Sequence, residues 1–287
     1  MAEAMLDGRG QAGPRAGLRL WLSAIWLLLL TFAAICAPLI APQDPLAQDL
    51  LSGRAPPFWT ADALPGYWLG TDSLGRDVLS RMIYGARIAL TVAVTAGATT
   101  CLIGATLGLL AGFLGGWADR IIGRVVDVWM AFPPVLFAIL LIAVLGTGLS
   151  SVILAIVIID WTRFARVVRA ETMAQGAMDY VASARVAGRG RMGTMLAEIL
   201  PNVLPTIIVL LTLEMGIAVI VEAILSFVNL LLSTDDPTWG GMIAEGRTSL
   251  HQAWWVLVFP LIALFLTVLS FSQLGEGLKD RFDPVLR

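Results

Sequence analysis

The chain alternates between long apolar runs and shorter polar breaks. Apolar stretches occupy about residues 18–40, 88–114, 125–146, 149–161, 202–228 and 254–274. A helix needs roughly 20 apolar residues to cross about 30 Å of hydrocarbon. The fourth run is short if it stops at Asp160, so its helix is expected to continue through Arg163–Arg169 beyond the lipid. Hydrocarbon offers the backbone no hydrogen-bond partner, which predicts helices for all these runs. No period-two alternation suggests a barrel. The pattern predicts an all-α integral membrane protein of about six transmembrane helices.

The breaks organise the chain. Residues 1–17 read as a tail and 18–41 as the first spanning helix. That apolar region is longer than the 7–15-residue core of a signal peptide, which favours a retained helix. Residues 42–87 carry Pro42, Pro45, Pro56, Pro57 and Pro65 with several Asp and Arg, and read as an outer loop. Residues 88–276 then hold five more spans, with a polar loop at 176–201 and another at 229–253. Residues 277–287 form the second tail. Arginines concentrate in 162–199 and recur in 115–124 and in both tails, whereas 229–253 holds only Arg247. The positive-inside rule therefore puts both termini, 115–124 and 162–199 in the cytoplasm. Trp21, Trp117, Trp161, Trp254 and Trp255 lie near span boundaries, as in an interfacial belt.

Composition narrows the function. Of 287 residues, 58% are hydrophobic and 14% charged, against about 25% charged in soluble domains. No basic block could track nucleic acid. Cys36 and Cys101 both sit in apolar runs and His251 is the only histidine. A disulfide framework, a metal site or a Ser–His or Cys–His catalytic pair is therefore not expected. There is no G-x-x-x-x-G-K-[ST] phosphate loop, and Lys279, the only lysine, cannot supply one. Any ATP-driven step needs a separate ATPase chain.

The cytoplasmic segment from Tyr180 to Pro201 is too polar to span. Ala182, Ser183 and Ala184 form a small-residue patch, and Gly188 allows a turn that residues with a Cβ resist. Arg185, Arg189 and Arg191 surround it. Pro201 marks the return to the membrane, at a first helical turn. A short helix, a glycine turn and a second helix would project as a docking element. This segment resembles the EAA loop of prokaryotic ABC-importer permeases: a small-residue triplet, Gly188 four residues later, then Ile199-Leu200-Pro201. It departs from that pattern in having Ala182 in place of Glu, and Glu198 where relatives often have His.

Further blocks extend the resemblance over most of the chain. They are Trp68–Arg81 with Tyr84-Gly-Ala-Arg87; Gly115-Gly116, Asp119, Asp127 and Phe132-Pro133; Glu222–Phe227; Pro237-Thr-Trp-Gly240; and Ala253-Trp-Trp255, Phe259-Pro260 and Gly275–Asp280 with Asp283-Pro284. Their order resembles the C-type subunit of the dipeptide/oligopeptide/nickel permease family. Relatives usually carry a Gly-rich stretch where this chain has residues 228–233. The resemblance implies a non-catalytic subunit of the bacterial inner membrane. A homologous second permease, two ATPase subunits carrying ATP and Mg, and an extracytoplasmic substrate-binding protein would be its partners. Tyr180, Ala182, Ser183, Ala184, Arg185, Gly188 and Pro201 would be the ATPase-coupling residues. Peptides are favoured as cargo on family frequency.

Charge within the spans is costly and points to structure or pathway. Glu214 and Glu222 on the fifth run lie about 80° apart around a helix, so both can face one side. They could line the substrate pathway or pair at a helix contact. Coupled to ions, they could instead serve a secondary transporter, the alternative function. Asp72, Arg76 and Asp77 read as a capped, salt-bridged start to the second helix. Arg124 and Asp127 read as a local ion pair.

Overall fold

The computed structural model describes residues 14–228 and 236–282. The 228–233 departure beyond Val228, Asp235, residues 1–13 of the first tail and residues 283–287 of the second, with Asp283-Pro284, lie outside the described residues. Eleven α-helices are formed among those described. They are α1 (Pro14–Ile35), α2 (Ala37–Ile40), α3 (Val78–Leu114), α4 (Gly116–Met130), α5 (Pro134–Leu145) and α6 (Leu149–Gly176), then α7 (Asp179–Val186), α8 (Arg191–Thr194), α9 (Leu200–Phe227), α10 (Trp239–Thr248) and α11 (Trp255–Phe282).

Four helical stretches are long and apolar enough to cross a membrane: Gly17–Ile35, Val78–Leu114, Arg191–Phe227 and Trp255–Lys279. The third apolar run is not one straight helix. α4 and α5 meet at 88°, because Phe132 precedes Pro133-Pro134 and the residue before a proline is pushed out of the α region. The second helix starts at Val78, ten residues earlier than its hydropathy suggests. Its polar first turns are buried under the preceding segment, so the outer loop ends at Asp77 rather than at residue 87.

Contacts fix the helix directions. α3 and α6 run parallel: Gly104 faces Trp161 and Phe164, Gly108 faces Ala165, and Gly112 faces Arg169 and Thr172. A Cβ at Gly108 would stand 2.6 Å from the Ala165 carbonyl oxygen, and one at Gly104 2.3 Å from that of Trp161. Three glycines at four-residue spacing thus let the two backbones touch. α9 runs against α11, with Gly275 on Thr212 and Gly216 on Phe271. α1 runs against α11, where Trp26 Nε1 donates to Thr267 Oγ1 at 3.1 Å. The C-terminal ends of α3, α6 and α11 therefore share a side with the starts of α1 and α9.

The opposite side is closed by a cap built from charge. Asp72, Arg76, Arg81 and Asp77 are all at most 2% exposed. Arg76 donates through Nε to Asp72 at 2.6 Å and through a terminal nitrogen to Glu245 of α10 at 2.8 Å. Arg81 reaches the same Glu245 at 3.4 Å. Asp77 caps α3 by accepting from the Ser80 backbone N–H and hydroxyl. Burial lifts the Asp77 carboxyl above its ordinary pKa, against the pull of those Ser80 bonds. Two indoles lock the cap: Trp255 Nε1 donates to the Thr71 carbonyl and Trp239 Nε1 to that of Met82, both at 3.0 Å. Trp255 is thus a buried structural donor, not a member of an interfacial belt. Trp21, Trp117 and Trp254 are exposed.

The glycine contact sets a stability test. Gly108→Leu should cost about 3 kcal/mol by forcing α3 from α6. Gly123→Leu, where a Cβ meets nothing within 4 Å, should cost little. Thermal-challenge chromatography of the detergent-solubilised protein measures both.

Candidate functional site

The loop that joins α6 to α9 builds outward from a glycine turn. Gly188 has φ +85°, and no atom lies within 4 Å of a Cβ built there. Its N–H donates to the Arg185 carbonyl at 3.0 Å, and the Arg189 N–H to that of Ala184 at 3.1 Å. This pair of bonds is a Schellman end to α7, with glycine in the left-handed position that favours it. α7 and α8 are thereby set as a helix, turn and helix at the end of the membrane bundle.

One face of α7 is anchored and the other is bare. Val181 is fully buried among Val168, Met195, Ile199 and Val203. Tyr180 donates its hydroxyl to Gln175 at 2.8 Å. Ala182, Ser183, Arg185 and Gly188 are exposed, Ala184 is half-buried, and Val186 is 90% exposed. Exposed Met178 and Met192 flank the same surface. Glu198 ion-pairs with Arg189 at 2.9 Å, so the departure at this position closes the loop on itself. The chain then makes a π-helical turn at Met195–Ile199 before α9. Pro201 lacks an N–H and crowds the carbonyl four residues back. The wider turn accommodates it, and Pro201 sits in the first turn of α9, where a proline is tolerated.

The intramembrane acids fall into two settings. Glu214 accepts from Arg163 of α6 at 2.9 Å, and Arg163 also meets Asp160 at 3.5 Å. This places Glu214 at a helix–helix contact. Glu222 accepts from Ser226 one turn on, at 2.8 Å, and its second oxygen has no hydrogen-bond partner among the described residues. Both acids are 1% exposed. Asp127 does not pair with Arg124. It pairs with Arg166 of α6 at 2.9 Å, and Asp119 forks onto Arg169, also of α6. The bend into α4 lays its acidic side along α6, out of reach of a local partner. Reading by local spacing missed Glu245, the glycine triplet on α3 and these α4–α6 pairs. The i, i+4, i+8 spacing of Gly104, Gly108 and Gly112 was the available signal for one of them.

A family model described as the binding-protein-dependent transport system inner membrane component matches residues 104–287. The chain belongs to that family. It is 38% identical to the di/tripeptide transport system permease protein DppC of Pseudomonas aeruginosa, over 92% of this chain and 87% of that one. It is also 38% identical to the glutathione transport system permease protein GsiD of Pectobacterium atrosepticum, over 92% and 86%. The dipeptide transport system permease protein DppC of Haemophilus influenzae is 36% identical over 92% and 89%. This permease is thus a multi-pass inner-membrane protein and a transport subunit of an ABC importer.

The Arg163–Glu214 contact gives a second test. Removing one partner of a buried pair strands the other charge. Arg163→Leu should destabilise the permease by about 3 kcal/mol, the low end of such losses because Arg163 is partly exposed. Arg163→Leu with Glu214→Leu should recover most of it. Thermal unfolding of the single and double variants measures the coupling.

Proposed function

We propose that this chain is the C-type half of a paired permease importing small peptides or a related solute such as glutathione. A homologous second permease would complete the translocation pathway. Two ATPase subunits, which carry ATP and Mg, would dock on the cytoplasmic side, and a substrate-binding protein would deliver from outside. Six crossings are proposed: the four apolar helices, the bent α4–α5 pair, and α6. This topology puts both termini in the cytoplasm.

The observation that carries the coupling role is the bare face of α7. A helix of small and apolar residues stands at the membrane bundle's end, with Val186 at 90% exposure and open space around Gly188. Exposed valine and methionine beside arginines favour a protein partner over water. Tyr180, Ala182, Ser183, Ala184, Arg185 and Gly188 are proposed to form the contact, and Pro201 to transmit it into α9. ATP binding would shift the population between inward- and outward-facing states by gripping this element differently in each. Nothing favours the ion-coupled alternative, since an arginine already holds Glu214.

Gly188 separates docking from folding. In the reconstituted importer, Gly188→Trp should abolish substrate-stimulated ATP hydrolysis and uptake while the chain still inserts. Gly188→Ala meets only the backbone strain of a positive φ, about 1–2 kcal/mol, and should keep partial coupling. Normal stimulated hydrolysis and uptake in Gly188→Trp would sink the docking role.

A further inference from the structure

The Tyr84-Gly-Ala-Arg87 block divides between two jobs. Gly85 and Ala86 face inward: a Cβ at Gly85 would stand 2.7 Å from the Trp239 ring, and Ala86 is 1% exposed. Tyr84 and Arg87 do not share that packing. Arg87 is exposed, and its side chain has no ionic partner among the described residues. It stands about 14 Å along α3 from the helix start, at the edge where the apolar run of residues 88–114 begins. A guanidinium at that edge can meet water and any ligand entering the membrane beside it.

Two cavities meet at Arg87. The outer one, about 690 Å3, is lined by Gln43, Asp44, Tyr84, Arg87 and Asp236 among others. The inner one, about 430 Å3, is lined by Arg87, Thr31, Thr91 and Thr95 with apolar neighbours. The exposed side of α3 continues past them through Thr99 and Thr106, with Val94, Leu102 and Ile103 exposed among them. Each threonine donates its hydroxyl to the carbonyl four residues back. Thr91 bonds Arg87 at 2.7 Å, Thr95 bonds Thr91 at 2.6 Å, Thr99 bonds Thr95 at 2.7 Å and Thr106 bonds Leu102 at 2.6 Å. Their lone pairs are what remain to face outward. The exposed face of α11 offers a contrast, presenting Leu261, Ile262, Phe265 and Leu269.

We propose that this face of α3 lines the solute route, and that Arg87 receives the carboxylate of the incoming solute at its outer mouth. The inference rests on the importer reading above. The Asp44 carboxylate lines the same outer cavity as this cation. That arrangement suits a zwitterion, whose ammonium group Asp44 would take. Below it, the threonine acceptors suit the N–H groups of the same solute as it passes inward. Arg87 matches a carboxylate through its planar fork, and a single charged hydrogen bond of that kind is worth about 1.5–3 kcal/mol.

The test uses the complete importer in proteoliposomes, with both permeases and both ATPases. In a Cys36→Ala, Cys101→Ala background, Thr95→Cys and Thr99→Cys should react with a water-soluble methanethiosulfonate many-fold faster than Leu29→Cys on lipid-facing α1. Slow reaction at both, or cross-linking of both to the second permease, would overturn the route. Import of alanylalanine is then compared with that of its C-terminal amide. The wild type should prefer the free carboxylate. Arg87→Gln should lower that preference about tenfold or more, and Arg87→Lys should keep most of it. The binding protein is common to all variants, so a changed ratio reports α3. No wild-type preference, or an unchanged one in Arg87→Gln, overturns the carboxylate role. A wild type that couples ATP hydrolysis to neither probe fails the proposed cargo instead, while cysteine reactivity still decides the route.

Discussion

Hydrocarbon does not solvate charge, and this constraint organises the permease more than any single contact. Every arginine or acid carried toward the membrane must find a partner in the protein or face water. Buried Asp72, Arg76 and Arg81 solve it with the half-buried Glu245, a quartet of zero net charge. Arg163, Asp160 and Glu214 solve it between α6 and α9. Arg166 and Arg169 solve it on the acidic side of α4. Each set joins segments distant in sequence, so each also fixes where helices cross. Such pairs are weak sources of net stability, because desolvation consumes most of their attraction. They act more as specificity, since a shifted helix would strand a charge.

Glycine supplies the complementary freedom. The α3–α6 contact depends on three positions where the backbone itself is the packing surface. Gly240 does the same on α9, where a Cβ would stand 2.1 Å from the Ala223 carbonyl oxygen. The sequence blocks that suggested a family therefore meet in space. Trp68–Arg81 caps α3, Pro237–Gly240 seats against both Met82 and the Glu222–Phe227 stretch, and Trp255 bonds Thr71. These blocks describe a folded cap at one end of the bundle rather than a set of chemical sites.

Much of this was legible in the sequence, and the limits have physical causes. Hydropathy located four helices long enough to cross a membrane and the bent α4–α5 pair, and the small-residue triplet with Gly188 located a helix and turn that the structure forms. The reading of Asp72, Arg76 and Asp77 as a capped helix start held, because an N-cap is a local pattern. Local reasoning failed where a partner is remote. Asp127 chose Arg166, 39 residues away, over Arg124 at three. Hydropathy also placed the start of α3 ten residues late, since its first turns are polar yet buried. Trp255 looked interfacial by position, although its indole serves a carbonyl 184 residues away. The bend between α4 and α5 was readable from Pro133-Pro134, but an unbroken apolar run masked it.

The anchoring of α7 determines what a force on it could do. Val181 shares one buried cluster with Val168 of α6 and with Met195, Ile199, Val203 and Ile207 leading into α9. Packed side chains at interior density transmit displacement rather than absorb it. A push on the bare face of α7 would therefore reach α6 and α9 together. The weak point on the α9 branch is the π-helical turn before Pro201, where the regular hydrogen-bond ladder is already broken. Bending there costs less than bending intact helix. The next fixed point is Glu214 on Arg163, about three and a half turns beyond Pro201 at 3.6 residues per turn. Motion between those points would tilt the first half of α9 while its C-terminal half stays keyed to α10 by Gly240. The proposed docking element and the charged cap would in this way be two ends of one lever.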